Sequence, residues 1–231
     1  KAEKQGIELL NMVNNLDAIL TENGYAPISY NNPEVEWFFG PSAVANHWEY
    51  QPGTAPAFRV LWDQVNDQRF LAYGLEVVDE ANTVYLRKPM GGLQLGQSIR
   101  SAEAFLNRME AYALSGEEGL ALAELNAFRK ARIIGYTDVS LSGQTLLDEI
   151  RLERRKELCF EGHRWFDLRR QGMPEIKHTY KAEKGGAVYE YVLQQGDPMY
   201  TLPFPNSVVL QNRALVQNPS REMGARQGEI Q

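Results

Sequence analysis

Apolar residues recur every three or four positions along several stretches of the chain, a spacing that predicts amphipathic helices. The first stretch covers residues 5–20, and the next two cover residues 98–114 and 120–134, with a short "SGEEG" turn between them. So short a connection predicts an antiparallel helical hairpin. The apolar stripe predicted for the first helix of this hairpin consists of Ile99, Ala102, Phe105, Leu106, Met109, Tyr112 and Ala113.

A fourth helix is predicted from about Leu146 to Arg170. Ser142 or Thr145 precedes it as a candidate N-cap, and Gly172 follows it as a stop signal. The pattern shows no break between these ends, so the sequence predicts one continuous helix.

Two other parts of the chain do not have a helical pattern. Residues 25–58 contain five prolines and two tryptophans, and proline disfavours long regular elements because it fixes φ and lacks an amide donor. Residues 187–193, "AVYEYVL", alternate as a strand does, and residues 199–209 are predicted to be extended. The chain is therefore predicted to be mainly α-helical, with a loop-rich part and minor β structure.

Composition narrows the class of protein. Of the 231 residues, 43% are hydrophobic, enough for a substantial core, and the formal net charge is −6. An acidic protein of this kind is not expected to bind nucleic acid over its whole surface. The single cysteine, Cys159, has apolar neighbours and is predicted to be an inert, packed thiol.

The segment "ERRKELCFEGHRWFDLRR", residues 153–170, combines many charges with large apolar side chains. Residues 151–170 contain six arginines and one lysine against four acids, a local charge of +3. Glu153, Glu157 and Glu161 recur every fourth residue and would share one face of a helix.

Three interpretations of this segment compete. Nucleic-acid recognition is disfavoured by the interleaved acids, and catalysis or metal binding by the lack of any H-x-x-x-H or H-E-x-x-H spacing. The preferred interpretation is a central structural helix whose charges are paired while its large apolar side chains, Phe166 among them, pack. It gives structural roles to Arg154, Glu157, Glu161, Trp165 and Asp167.

The stretch "RLERRKELCFEGHRWFDLRRQG" resembles the signature helix of the SusD/RagB family, outer-membrane nutrient-binding lipoproteins of the Bacteroidetes. "SIRSAEAFLNRMEAYALSG", "ALAELNAFRKAR" and "YTLPFPNSVVLQNRALVQNP" are similar to three further family segments, in the right order. The four blocks span residues 98–220. The sequence departs from the family pattern at Val208 or Val209, where Glu is usual, and at Cys159, where a small residue is usual.

This resemblance implies a SusD-like helical fold with tetratricopeptide-like helix pairs and a loop-rich subdomain with minor β structure. Residues 1–231 would form a single SusD-like C-terminal region. Residues 1–97 would be its loop-rich, ligand-facing part, and residues 98–231 its signature helices and closing segment. Family members are about twice as long, so the N-terminal helical-repeat region and the lipid-attachment cysteine are expected to lie outside this chain.

The function implied by the resemblance is non-catalytic capture of an oligosaccharide at the cell surface. The family delivers such ligands to a SusC-like TonB-dependent outer-membrane transporter and is held at the outer membrane by a lipid anchor. It requires no cofactor.

Aromatic residues in the loop-rich part are the candidate ligand contacts. A sugar presents an apolar C–H face that suits a flat ring, and hydroxyl groups that suit amide side chains. Trp37, Phe38, Trp48 and Tyr50 are predicted as platforms and Asn46 as a polar contact. The alternative is that the "WFF" run, residues 37–39, fills the core beneath the loop. Trp62 and Trp165 lie on helical patterns and are assigned to the core.

Two other functions stay open at this stage. A glycoside hydrolase would need two carboxylates converging in a cleft. A helical-repeat scaffold for protein or peptide partners would not need an exposed aromatic loop.

Overall fold

A computed structural model of the chain describes residues 9–13, 32–39, 56–72, 77–78, 84–85, 97–181, 186–212, 214–222 and 227–231. The chain divides into two compact units, Lys1–Glu161 and Gly162–Gln231. The mainly α-helical fold with minor β structure that the sequence predicts is confirmed. None of the helices in the described ranges has the length and apolar character needed to cross a membrane.

The helices, in chain order, are α1 (Pro56–Arg59), α2 (Gln68–Ala72), α3 (Ser101–Leu114), α4 (Glu118–Lys130), α5 (Gly143–Glu157), α6 (His163–Arg170) and α7 (Asn206–Gln211). The strands are β1 (Val35–Phe39), β2 (Val77–Val78), β3 (Val84–Tyr85), β4 (Gln97–Arg100), β5 (Ile176–Lys181), β6 (Val188–Leu193) and β7 (Glu229–Ile230). All strand pairs are antiparallel, in the orders β1-β4, β2-β3 and β5-β6-β7.

Three packed helices form the main apolar core of the first unit. The predicted hairpin is present as α3 and α4, and α5 packs against both. Its buried side chains are Ala102, Leu106, Met109, Ala121, Leu125, Phe128, Leu146, Ile150 and Leu158. The assignment of Ile99 to the stripe of α3 was wrong, because β4 continues to Arg100 and α3 begins only at Ser101.

A second, aromatic cluster lies in the same unit. Met12, Phe58, Trp62, Phe70 and Cys159 are buried together, which places Trp62 and the cysteine in the core as the sequence predicts. The helix predicted over residues 5–20 lies mostly outside the described residues, although Met12 and Val13 are helical.

The prediction of one continuous helix to Arg170 was wrong. Helix α5 begins at Gly143, after an extended Ser142 in the N-cap position, and ends at Glu157. Phe160 and Gly162 then adopt positive φ angles of 62° and 83°. A left-handed conformation is costly for a residue with a side chain, and here the Phe160 ring packs edge-on against Phe58, 6.2 Å between centroids.

The second unit contains α6, the three-stranded sheet and α7. Helix α6 ends as predicted, because Gly172 takes a φ of 95° and Met173 N–H donates to the Leu168 carbonyl at 2.9 Å. The alternating segment at 187–193 forms β6, as predicted. The prediction of an extended segment over 199–209 was wrong in part, because α7 begins at Asn206, directly after Pro205, and none of its six residues is a proline that would break a helix.

The prediction that Phe166 packs was also wrong, since this side chain is 65% exposed on α6. The neighbours Asp167 and Leu168 are the buried residues of that helix. A helix of only eight residues therefore buries one narrow face, and Phe166 lies outside it.

Candidate ligand-binding ribbon and its anchoring ion network

Strands β1 and β4 form a two-stranded ribbon in the first unit. Trp37 lies opposite Ile99 across the ribbon, and directly opposed residues point to the same face. The Trp37 and Ile99 side chains are 52% and 56% exposed. The ribbon thus presents an aromatic ring and an apolar neighbour to solvent.

The ribbon is fixed at the end where β1 begins and β4 ends. Glu34 precedes β1, and its carbonyl accepts a hydrogen bond from the Ser101 amide at 2.8 Å. Its carboxylate Oε2 accepts from Arg100 Nη1, at the end of β4, at 3.1 Å. Both side chains are almost completely buried, so the base of the ribbon is held by a desolvated ion pair and a backbone hydrogen bond.

Three arginines from three other segments bind the carboxylate of Glu157, at the end of α5. Its Oε1 lies 2.9 Å from Arg100 Nη1. Its Oε2 lies 3.1 Å from Arg69 Nη1 and 3.1 Å from Arg132 Nε. The Glu157 side chain is fully buried, and a carboxylate in such a place needs partners of this kind to stay ionised.

Arg132, just beyond α4, connects this group to the N-terminal segment. Its Nη2 donates to Glu34 Oε1 at 2.7 Å, and its Nη1 donates to the Leu10 carbonyl. The Leu10 amide in turn donates to the same Glu34 oxygen at 2.8 Å. Arg132 also lies over the Phe128 ring, 4.9 Å from its centroid, an arrangement that suits the flat guanidinium group.

Glu161 reaches the same site from the turn that follows α5. Its two oxygens accept from Arg100 Nε at 2.9 Å and Nη2 at 2.7 Å, a bidentate pair. The sequence predicted that Glu161 and Glu157 share one face of a helix. Helix α5 instead ends at Glu157, and the turn that follows brings Glu161 to Arg100, which also binds Glu157.

A second group of buried charged residues surrounds Glu153, also in α5. Its Oε2 accepts a hydrogen bond from Arg129 Nε at 2.7 Å. Its Oε1 forms an ion pair with Arg69 Nη2 at 2.6 Å, but the geometry of this pair is not that of a hydrogen bond. Arg69 binds Asp67 through two nitrogens, at 2.9 and 2.8 Å. Lys156 lies 3.7 Å from Asp67 and 3.8 Å from Glu153.

We call these residues the ion network. Its bases are Arg69, Arg100, Arg129, Arg132 and Lys156, and its acids are Glu34, Asp67, Glu153, Glu157 and Glu161. Among the described residues these bases and acids pair with one another, and the partly exposed Glu149 adds a further carboxylate at 2.6 Å from Arg129. Pairing of this kind offsets the cost of burying so many ionised groups together.

The pKa values follow from burial and these neighbours. Burial alone would raise the pKa of Glu153, but the charges of Arg69, Lys156 and Arg129 outweigh it and lower the pKa to about 2. Burial would likewise lower the pKa of Arg69, and Asp67 and Glu153 reverse this and raise it. For Lys156, burial dominates and lowers the pKa. Glu153 and Arg69 therefore stay ionised at neutral pH.

The other residues predicted to be structural lie outside the ion network as defined. Arg154 is buried and donates to Asn107 of α3 at 2.8 Å. In the second unit, Trp165 stacks on Tyr200 with 4.9 Å between ring centroids. Asp167 is buried and accepts from Arg170 Nε at 3.0 Å.

The predicted ligand contacts are described only in part. Trp37 lies on the ribbon, and Phe38 follows it in β1. Asn46, Trp48 and Tyr50 lie outside the described residues. The alternative that residues 37–39 fill the core does not hold for the Trp37 side chain, which is half exposed.

Sequence reasoning missed the partners that the acids of α5 bind. Arg69, Arg100 and Arg132 belong to three other segments, and Glu34, which binds Arg100 and Arg132, belongs to a fourth; these segments carry no shared motif. A signal exists in "SIRSAEAF", "DQRFLAY" and "FRKARII", where an arginine interrupts apolar residues. Such an arginine is either exposed or paired in the interior, and the sequence does not say which.

Within the described ranges, no three histidine, cysteine or acidic side chains come together in a way that could hold a metal ion. The carboxylates of the ion network are held by arginine and lysine instead. This arrangement can fix segments of chain relative to one another, but it leaves no carboxylate of the network open to a substrate.

Residues 90–220 match the sequence model of the SusD family. A sequence search of curated proteins gave no match. A SusD-like carbohydrate binding protein from Bacteroides vulgatus shares the fold, with a TM-score of 0.56 and 20% identity over 85% of this chain and 51% of that one.

Two further solved structures are similar. A candidate sugar binding protein from Bacteroides vulgatus has a TM-score of 0.50 and 26% identity over 71% of this chain and 38% of that one. A SusD superfamily protein from Bacteroides fragilis has a TM-score of 0.50 and 25% identity, over 69% of this chain and 35% of that one. The chain thus spans about half, or less, of the length of these proteins.

Proposed function

Since the chain belongs to the SusD family, we propose that it binds carbohydrate and does not catalyse its breakdown. The observation that carries this proposal is the half-exposed Trp37 on a ribbon whose base is held by the ion network. Two of the similar proteins are described as carbohydrate or sugar binding, which supports the same ligand class here.

Trp37 has the properties of a sugar platform. Its ring offers an apolar face to the C–H face of a sugar, and Ile99 beside it extends that face. Because Arg100 and Glu34 fix the base of the ribbon, less conformational freedom is lost when a ligand binds. Phe38, Trp48 and Tyr50, with Asn46 as a polar contact, are proposed to complete the site.

The absence of catalysis is proposed because the carboxylates of α5 are buried and paired with bases. Glycoside hydrolysis needs two carboxyl groups that reach the scissile bond. Glu153 and Glu157 are fully buried, and each is held by two or more bases. They cannot touch a sugar while the fold is intact, which favours a binding protein over a hydrolase.

The cellular role is proposed from family membership. The protein would act at the outer membrane of a bacterium, held at the surface by a lipid anchor. It would pass its ligand to a SusC-like TonB-dependent transporter. No cofactor takes part in this scheme.

Tryptophan fluorescence titration with a panel of neutral oligosaccharides tests the proposal. Wild type should change its emission on binding and leave the sugars intact in product analysis. Trp37→Ala should lose the response, whereas the matched control Trp165→Phe, which removes a tryptophan from the second unit, should keep it.

Each other outcome has a defined meaning. Cleavage of any sugar in the panel would replace the binding proposal with a hydrolase. Saturable binding that is the same in Trp37→Ala and wild type would show that the ribbon is not the site. No binding across the panel would favour the scaffold for protein or peptide partners.

A further inference from the structure

The three-stranded sheet of the second unit has two faces of different chemistry. In the antiparallel register of β5 and β6, His178 lies opposite Tyr191 and Tyr180 lies opposite Tyr189. These four residues share one face, because side chains alternate along a strand and opposed residues point the same way. We call this surface the tyrosine face.

The tyrosine face is accessible. Tyr180 is 57% exposed and His178 is exposed, while Tyr189 and Tyr191 are half-buried. On β7, Ile230 pairs with Tyr189 and is 71% exposed. The surface is therefore broad, ring-bearing and open to solvent.

Gly228 makes room for the rings on this face. A Cβ atom at this position would lie 2.8 Å from the Cβ of Tyr189 and 2.8 Å from Cε2 and Cζ of Tyr191. The Tyr191 ring thus occupies the space above the Gly228 backbone, across the edge of the sheet. A larger residue at position 228 would displace this ring, so glycine allows Tyr191 to lie against the end of the edge strand.

Charge is confined to the opposite face. Lys177, Glu190 and Glu229 alternate with the residues of the tyrosine face in β5, β6 and β7. The positions on the tyrosine face hold no lysine, arginine, aspartate or glutamate. A face of rings, phenol hydroxyls and an imidazole matches a ligand that is uncharged, flat in places and rich in hydroxyl groups.

We propose that the tyrosine face is a second carbohydrate-binding surface, which takes an extended, uncharged polysaccharide. This inference rests on the proposed function and adds a site to it. Rings two residues apart on one strand lie about 6.8 Å apart, and opposed rings on neighbouring strands start about 5 Å apart. The face can therefore contact more than one sugar ring of a single chain.

Native electrophoresis in gels that contain a neutral polysaccharide tests the second surface. The probes are amylopectin, xyloglucan and galactomannan, each at graded concentrations, and mobility gives an apparent Kd. The double variant His178→Ala/Tyr180→Ala should raise the Kd about tenfold, the factor that corresponds to about 1.4 kcal/mol of lost contact. Thr179→Ala, on the opposite face of the same strand, is the matched control and should bind like wild type.

A structural effect can be separated from a binding effect. The melting temperature of each variant should equal that of wild type, because His178 and Tyr180 are exposed. If the double variant melts lower, the single variant Tyr180→Ser carries the test. Gly228→Ala gives a second route, since the added methyl displaces the Tyr191 ring and should also weaken binding.

The outcomes distinguish this proposal from the proposed function. Weaker binding by the sheet variants, with Thr179→Ala unchanged, supports the second surface. Unchanged binding by the sheet variants together with loss in Trp37→Ala overturns the second surface and keeps the proposed function. If wild type binds none of the three polysaccharides, the second surface is overturned, and the oligosaccharide titration decides the proposed function separately.

Discussion

The apolar core and the ion network lie in the same unit but join different kinds of segment. The apolar core joins α3, α4 and α5 through side chains at helical spacings. The ion network joins segments far apart in sequence, since Arg100 and Glu157 are 57 positions apart and Glu34 and Arg132 are 98 positions apart. Helices can bury an apolar stripe against each other, whereas short strands and turns have little apolar surface to bury.

The difference shows what buried charge contributes here. Apolar contacts are non-directional, but a guanidinium group binds a carboxylate in a fixed, planar geometry. The ion network can therefore set the position of the ribbon, and with it Trp37, more closely than apolar packing could.

Arg132→Met should have one of the largest effects on stability. It keeps most of the side-chain volume but removes a partner from Glu34 and from Glu157, both of which stay buried. Breaking a buried ion pair in this way should lower the free energy of unfolding by about 3–5 kcal/mol. Urea unfolding followed by far-UV circular dichroism measures the change, and a loss below about 1 kcal/mol would contradict the account.

Leu106→Ala probes the apolar core by comparison. Leu106 is fully buried, and the cavity left should lower the free energy of unfolding by roughly 2–5 kcal/mol. The folded variant should nevertheless bind carbohydrate like wild type, whereas Arg132→Met should bind more weakly because the ribbon is loosened. Equal affinities of the two variants by calorimetry would remove the proposed link between the ion network and Trp37.

Acid should weaken the ion network through Glu153. Its pKa is lowered from the ordinary 4.5 to about 2, so its contribution is fully present above pH 4.5 and is lost as the pH falls toward 2. This contribution is on the order of 3 kcal/mol. Urea unfolding at pH 5 and pH 3 should show a larger drop for wild type than for Glu153→Gln, and equal drops would argue against an ionised Glu153 in the interior.

Lys130→Ala should have the smallest effect. Lys130 pairs with Asp138 at 2.7 Å, but both side chains are more than half exposed. Exposed ion pairs contribute about 0.2–1 kcal/mol. A loss as large as that of Arg132→Met, measured in the same urea series, would show that burial is not what distinguishes the ion network.

The sequence allowed the apolar core to be predicted more fully than the ion network. Leu106, Met109, Leu125 and Phe128 repeat at helical spacings, and such a pattern is local. The role of Glu157 as a paired interior charge was predicted from its overlap with apolar side chains. Its partners depend on long-range contacts and on the turn after α5, which no local pattern encodes.

The candidate site shows the same limit. Trp37 could be chosen because residues 25–58, which contain it, are rich in aromatic residues and proline. Its exposure depends on the pairing of β1 with β4, a contact between residues more than sixty positions apart. The break at Phe160 was missed because positive φ at a residue with a side chain is set by tertiary packing, here against Phe58.

Urea unfolding of Glu157→Gln tests whether α5 holds its charges in the interior as part of the structural framework. This change removes one charge and leaves Arg69, Arg100 and Arg132 with one anion fewer. We expect a loss of about 3–5 kcal/mol in the free energy of unfolding. An unfolding free energy equal to that of wild type within experimental error would contradict the claim.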